Sequence, residues 1–365
     1  MTCNGHKMAS VIQGGNLLGL GLQELEGLAV SHGQPRYRGR QLYRGIYARR
    51  VRDLAAFTDL SREFRAALSS SHQITYPEIA REFASRDGAL RYLFRLSDGN
   101  SIETVYMPEA DRVTLCLSSQ VGCALDCRFC FTALLGARRN LTAGEIVGQV
   151  LAVTTAQNLP RTRRLNLVFM GMGEPLLNLP QVLAAVKILA DAKGVGVPLR
   201  RITISTVGII PRIQDLASEP IRPKLALSLN ASNEEQRSAL MPINRKYPLT
   251  ELLRVCRAYP LRPWEHLTFE YVLLEGCNDS DADARRVADL LRGLRAKVNL
   301  IPYNSGPELP YRPPSLERVL AFQQILTDRR IPTFIRISRG QDIQAACGQL
   351  SLAGLRPDSL PASPA

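Results

Sequence analysis

The sequence predicts an α/β fold, a partial (β/α)6 barrel preceded by a small helical N-terminal domain. Two patterns carry this. From about residue 90 onward, short β-rich runs alternate with amphipathic helical stretches about six times, and such alternation builds parallel βα units. From about residue 20 to 80 the apolar residues instead recur with the 3.6-residue period of helices.

In chain order, LQELEGLAV, RQLYRGIYARR and SREFRAALSS read as the N-terminal helices. RYLFRL, the turn Asp98–Gly99 and SIETVYM read as a β-hairpin. The strands that follow are VTLCLSS, LNLVFMG, RITIST, KLALSLN, LTFEYVLL, KVNLIPYN and TFIRIS. Helical pattern separates most of them, as in LTAGEIVGQVLAVTTA, where Thr142 and Glu145 form a capping-box pair, and PQVLAAVKILADAK. The proline-rich stretch 303–315 reads as a surface lid or connector. The expected division is a helical domain over 1–88, a barrel with its preceding hairpin over 89–352, and a disordered tail over 353–365.

The chain has 365 residues, of which 45% are hydrophobic and 22% charged, enough for a sizeable core. It contains no apolar run long enough for a transmembrane helix and no secretory leader pattern, so a membrane role and export are not expected. Eight cysteines, most of them isolated, suit a reducing cytoplasm better than a disulfide scaffold. The net charge of +13 marks a candidate for binding phosphate backbones. Arg36, Arg38, Arg40, Arg44, Arg49, Arg50 and Arg52 alternate with Tyr37, Tyr43 and Tyr47 in one segment. This is either an RNA surface with stacking tyrosines or a basic helix whose tyrosines pack inward.

Cys123, Cys127 and Cys130 are spaced C-x3-C-x2-C and followed by an aromatic residue. Three thiolates can hold three irons of a cubane cluster and leave the fourth open to a substrate, whereas an electron-transfer cluster recruits a fourth cysteine. A structural zinc site would want four closed ligands, and His6, His32, His72 and His266 are all remote in sequence. Polar groups collect at the strand ends as well. Gly171, Gly173 and Glu174 end one strand, Ser205 the next, Ser228 and Asn230 another, and Asn304 a fourth. In parallel barrels these ends converge on the ligand.

These features sit in motifs that resemble the RlmN/Cfr family of radical S-adenosylmethionine (SAM) RNA methyltransferases. The motifs are TLCLSSQVGCALDCRFC, RRNLTAGEI, GMGEPLLN, LMPINRKYPL and DIQAACGQL, spread across the whole barrel. The resemblance implies a radical SAM barrel with a [4Fe-4S] cluster on Cys123, Cys127 and Cys130 and one open iron. It implies SAM contacts at Gly173, Glu174, Ser205, Ser228, Leu229, Asn230 and Asn304, with two SAM molecules used per turnover. Cys347 matches the cysteine that becomes S-methylated, Cys116 the cysteine that resolves the covalent RNA adduct, and Glu103 the general base. Cys116 and Cys347 would then form a transient disulfide.

The implied reaction is methylation of carbon 2 of an adenosine in 23S ribosomal RNA and of the adenosine 3′ of the anticodon in some tRNAs. The implied partners are those RNAs and an electron donor such as flavodoxin, with a monomeric, cytoplasmic protein whose N-terminal domain serves RNA binding. Three positions depart from the family pattern: Asn230 stands where histidine is common, and Phe131 and Ala133 where a smaller residue, often glycine, is usual. The competing readings are a Cfr-type enzyme acting at carbon 8, and a basic RNA-binding protein whose cluster is structural or redox-sensing.

Overall fold

A computed structural model describes residues 15–306 and 308–351. The first fourteen residues, with Cys3 and His6, and the expected tail over 353–365 lie outside the described residues.

The chain starts with a short strand, β1 (Gly15–Asn16), and three helices, α1 (Leu22–Ser31), α2 (Arg36–Tyr43) and α3 (Arg62–Ser69). Ser61 caps α3 by accepting from the Phe64 N–H at 3.2 Å. β2 (His72–Gln73) returns to pair in parallel with β1. Leu25, Leu28, Leu42, Ile46, Phe64 and Leu68 form the interior of this unit. Tyr43 and Tyr47 are buried with them, ring centroids 4.9 Å apart, and the Tyr47 hydroxyl donates to the Leu20 carbonyl at 2.8 Å. Neither ring is available to stack on a base, so of the two readings of this segment the packed helix holds for both; Tyr37 alone of the three is exposed.

β3 (Glu78–Ala84), β4 (Leu90–Arg95), β5 (Ser101–Pro108) and β6 (Arg112–Cys116) run as an antiparallel meander at one side of a ten-stranded sheet. The helical texture expected up to about residue 80 therefore ends early. β3 is an edge strand exposed along most of its length, with Glu78, Arg81 and Glu82 among its residues, so it lacks the apolar alternation that announces a strand.

From β6 the sheet is parallel, continuing through β9 (Arg164–Phe169), β10 (Ile202–Thr206), β11 (Lys224–Ser228), β12 (Leu267–Leu273), β13 (Ala296–Pro302) and β14 (Thr333–Ile335). A small antiparallel ribbon, β7 (Gln120–Gly122) with β8 (Ala137–Asn140), brackets the cysteine loop. Six crossovers cover the sheet: α4 (Ala143–Ala156), α5 (Leu179–Ala190), α6 (Ile210–Ala217), the pair α7 (Glu234–Leu240) and α8 (Leu249–Ala258), α9 (Asp281–Leu290) and α10 (Leu316–Asp328). The capping box opens α4: Thr142 Oγ1 accepts from the Glu145 N–H at 3.1 Å, and the Glu145 carboxylate accepts from the Thr142 N–H at 2.9 Å. β14 and β3 close no ring, so the barrel is partial. Among the described residues no helix is long and apolar enough to cross a membrane.

Candidate active site at the carboxyl ends of the strands

The cysteine loop leaves β7 and is fixed by backbone bonds. The Cys123 N–H donates to the Gly136 carbonyl at 3.0 Å, that of Cys130 to Cys127 at 3.1 Å, and that of Arg128 to Leu240 at 3.0 Å. Cys123, Cys127 and Cys130 line one cavity of about 160 Å³ together with Phe129, Gly173, Glu174 and Cys347. Burial pushes the Cys123 thiol up to about 12 and raises Cys127 and Cys130 as well, with a neighbouring sulfur adding to the effect in each case. Thiolate charge here needs a cation to balance it. Among the described residues no three His, Cys, Asp or Glu side chains converge closely enough for a single metal ion. Three half-buried thiols spread around one cavity suit a polynuclear cluster better than zinc.

β9 delivers Gly173 and Glu174 to the same cavity. Gly173 has φ +94°, and a Cβ there would lie 2.5 Å from that of Gln120, so only glycine fits. Glu174 is buried, and its carboxylate accepts from the N–H groups of Leu176 and Val207, each at 3.0 Å. Burial nevertheless pushes it up to about 7, the hydrogen bonds offsetting only part of the desolvation. A ligand ammonium placed against it would restore the charged form.

Ser205, Ser228 and Asn230 line the adjoining cavity of about 150 Å³, again with Glu174 and Cys347. Asn230 adopts φ +54°, a region asparagine tolerates well, and its Oδ1 accepts from the Val272 N–H at 2.9 Å. Leu229 is fully buried and lines neither cavity; its backbone bonds to Glu270 and Arg237. Asn304 is buried outside both cavities too, donating from Nδ2 to the Cys347 carbonyl at 3.1 Å.

Cys347 lies on a loop clamped over the strand ends. The Phe131 N–H donates to the Gly348 carbonyl at 2.8 Å and Thr132 Oγ1 to that of Leu350 at 2.7 Å, while Gln349 Nε2 donates to Ser305 at 2.9 Å. The Phe131 ring lies against Gly306, where a Cβ would come within 2.3 Å of it, so the unusual phenylalanine is accommodated by the 303–315 connector. Cys116, at the end of β6, shares a third cavity with Cys347. Glu103 is fully buried, ion-paired with Arg91, and lines none of the three cavities. The strand register pairs Val105 with Cys116, which puts Glu103 on the same sheet face one step along.

Several residues that no motif singled out also shape the site. Arg237 has no exposed surface and donates to the carbonyls of Val207, Ser228 and Leu229 and to Asn244 Oδ1, binding the ends of β10 and β11 together. Arg336 and Glu270 line the cavity with Cys347. An arginine on an amphipathic helix reads as solvent-facing, and a glutamate inside a strand as a surface residue, so local pattern gives neither away.

A barrel of this topology, with three cysteines on the loop after its first parallel strand, defines a radical SAM enzyme. The Radical SAM superfamily model matches residues 117–288, and a Ribosomal RNA large subunit methyltransferase N-terminal domain model matches 15–74. The chain is 55% identical to the probable dual-specificity RNA methyltransferase RlmN of Koribacter versatilis, covering 87% of this chain and 96% of that one. It is 48% identical to the dual-specificity RNA methyltransferase RlmN of Syntrophobacter fumaroxidans, covering 90% and 96%. The crystal structure of a radical SAM methyltransferase from Sphaerobacter thermophilus superposes with a TM-score of 0.87 at 48% identity, covering 92% and 98%. The chain belongs to the RlmN family of radical SAM RNA methyltransferases. Membership implies a [4Fe-4S] cluster and SAM, and the thiol-lined cavity beside Glu174 fits both.

Proposed function

We propose that the protein methylates carbon 2 of an adenosine in 23S ribosomal RNA and of the adenosine 3′ of the anticodon in some tRNAs. The observation that carries this reading is the position of Cys347. It lines the cysteine-loop cavity, the cavity of the strand-end serines and the cavity of Cys116, so one thiol faces all three.

Cys123, Cys127 and Cys130 hold the cluster, and Glu174 takes the ammonium of SAM, with Gly173, Ser205, Ser228, Leu229, Asn230 and Asn304 around it. Leu229 and Asn304 act through the backbone positions they fix. When bound, the cluster supplies the electron that cleaves SAM to a carbon radical. The electron-poor C2–H carbon offers no lone pair, so the methyl travels first on Cys347, whose thiolate is a competent nucleophile. A second SAM would be consumed in taking one hydrogen atom from that methyl; the methylene carbon left on Cys347 sulfur would bond to C2, and one electron would pass back to the cluster as the C2 proton leaves. Glu103 is the base that takes the C2 proton. Cys116 then attacks the Cys347 sulfur. The sulfur–methylene bond breaks, its electron pair stays with the carbon and collects a proton, and a Cys116–Cys347 disulfide remains to be reduced. We place the enzyme in the cytoplasm as a monomer served by an electron donor such as flavodoxin.

The test is an anaerobic assay of the cluster-reconstituted protein with SAM, reductant and a ribosomal RNA fragment, read by nucleoside mass spectrometry. We expect 2-methyladenosine. A product of 8-methyladenosine moves the reading to carbon 8. SAM cleavage without methylated adenosine, on RNA that a relative does methylate, overturns the RNA assignment.

A further inference from the structure

Arg336 follows β14 and belongs to none of the motifs. Its backbone N–H donates to the Leu300 carbonyl at 2.8 Å, which fixes it beside the end of β13. Its guanidinium lies 3.4 Å from Met170 Sδ and 3.6 Å from Glu270 Oε2. From there it borders both the cavity shared by Cys116 and Cys347 and the strand-end cavity. Glu270 is buried on β12, with Oε1 accepting from Asn299 Nδ2 at 2.9 Å and Oε2 without a hydrogen bond. That second oxygen pairs with Nη1 of Arg336, which also donates to Met170 Sδ, so the guanidinium is held at the border of both cavities.

We propose that Arg336 is the electrostatic partner of the two thiols. It stabilises the anionic sulfur of Cys116 as that residue attacks Cys347, and Glu270, itself held by Asn299, competes with the sulfur for its charge. This rests on the two-thiol reading above and deepens it. In the step concerned Cys116 gives its proton to solvent. Its sulfur bonds to that of Cys347, and the bond from Cys347 sulfur to its substituent breaks with the electron pair leaving on the substituent.

The need for a cation is physical. Burial pushes the Cys116 thiol up to about 12 and the neighbouring Cys347 raises it further, while Arg336 opposes both. Arg339 is the other cation on that cavity, and it is committed to Asp87 at 3.1 Å. Burial also raises the Glu270 carboxyl, which weakens its hold on the charge of Arg336.

The experiment measures closure of the Cys116–Cys347 disulfide in the cluster-reconstituted protein. Glutathione disulfide first caps Cys347, and Cys116 then displaces glutathione. Acid trapping, alkylation and peptide mass spectrometry give the rate of that second step. We expect Arg336→Met to slow it about threefold at pH 7.5, because a rise of one pKa unit cuts the thiolate fraction tenfold while the more basic thiolate attacks faster, with the rate still climbing at higher pH. Arg336→Lys restores most of it. Glu270→Gln, which frees the guanidinium, speeds it. Equal rates in wild type and Arg336→Met overturn the proposal, as does an unaccelerated Glu270→Gln where the methionine variant loses its fold. If no disulfide closes even in wild type, the two-thiol reading falls and this proposal with it.

Discussion

Arg237 shows how much one buried side chain can organise. Replacing it with methionine strands the carbonyls of Val207, Ser228 and Leu229 and the Asn244 amide oxygen. Unpaired buried acceptors cost about 1–3 kcal/mol each, and partial relaxation brings the net loss to about 3 kcal/mol. Melting should fall by roughly 4 °C in a thermal scan; a melt unchanged within error would mean that water takes over the four bonds. Glu103 is the opposite case, a residue whose interest is chemical. From sequence it reads as a solvated residue of a hairpin strand, yet it is fully buried against Arg91, whose guanidinium also lies 4.1 Å from the Phe83 ring centroid. Glu103→Gln keeps the volume and removes the proposed base. Methyl-Cys347 should still form, seen as a mass shift of its peptide, while methylated adenosine falls on the order of a hundredfold or more. Full turnover in that variant would take the base role away from Glu103.

Elements were legible in proportion to how strongly one face of each is buried. The seven parallel strands run where the β-rich stretches predicted them, because the buried face of each needs apolar, largely β-branched or aromatic residues at alternate positions. The hairpin turn and the α4 capping box were equally plain, being local chemistry. β3 escaped notice because it is an exposed edge, and the clamp on the Cys347 loop because its bonds join residues 43 to 218 positions apart. That clamp is testable. Thr132→Val leaves the buried Leu350 carbonyl unpaired, about 1–3 kcal/mol against the closed loop. Amide exchange at residues 345–350 should quicken at least several-fold, and turnover should drop with the cluster content unchanged. Exchange confined to its wild-type rate would show that Phe131, Asn304 and Gln349 suffice to hold the loop.

At the scale of the whole molecule, charge and fold make separate statements about RNA. Many of the arginines are held in local ion pairs, as where Arg36 and Arg40 share Glu26, each at 2.7 Å. Arg44, in contrast, is exposed at the end of α2, between the buried Tyr43 and the buried Gly45. If the helical N-terminal domain grips RNA through phosphates rather than by stacking, its arginines set the salt dependence of binding and its tyrosines only the stability of the domain. Each phosphate contact contributes about −0.7 to −0.9 to the slope of log affinity against log salt concentration. We therefore expect Arg44→Gln to make that slope shallower by about one contact's worth in titrations of labelled tRNA between 50 and 200 mM salt. Tyr43→Phe should leave both affinity and slope at wild-type values. A Tyr43→Phe protein that folds normally but binds tRNA several-fold more weakly would return the tyrosine to the RNA surface. Identical slopes for Arg44→Gln and wild type would instead put the phosphate contacts elsewhere on the molecule, with the mouth of the barrel as the next place to look.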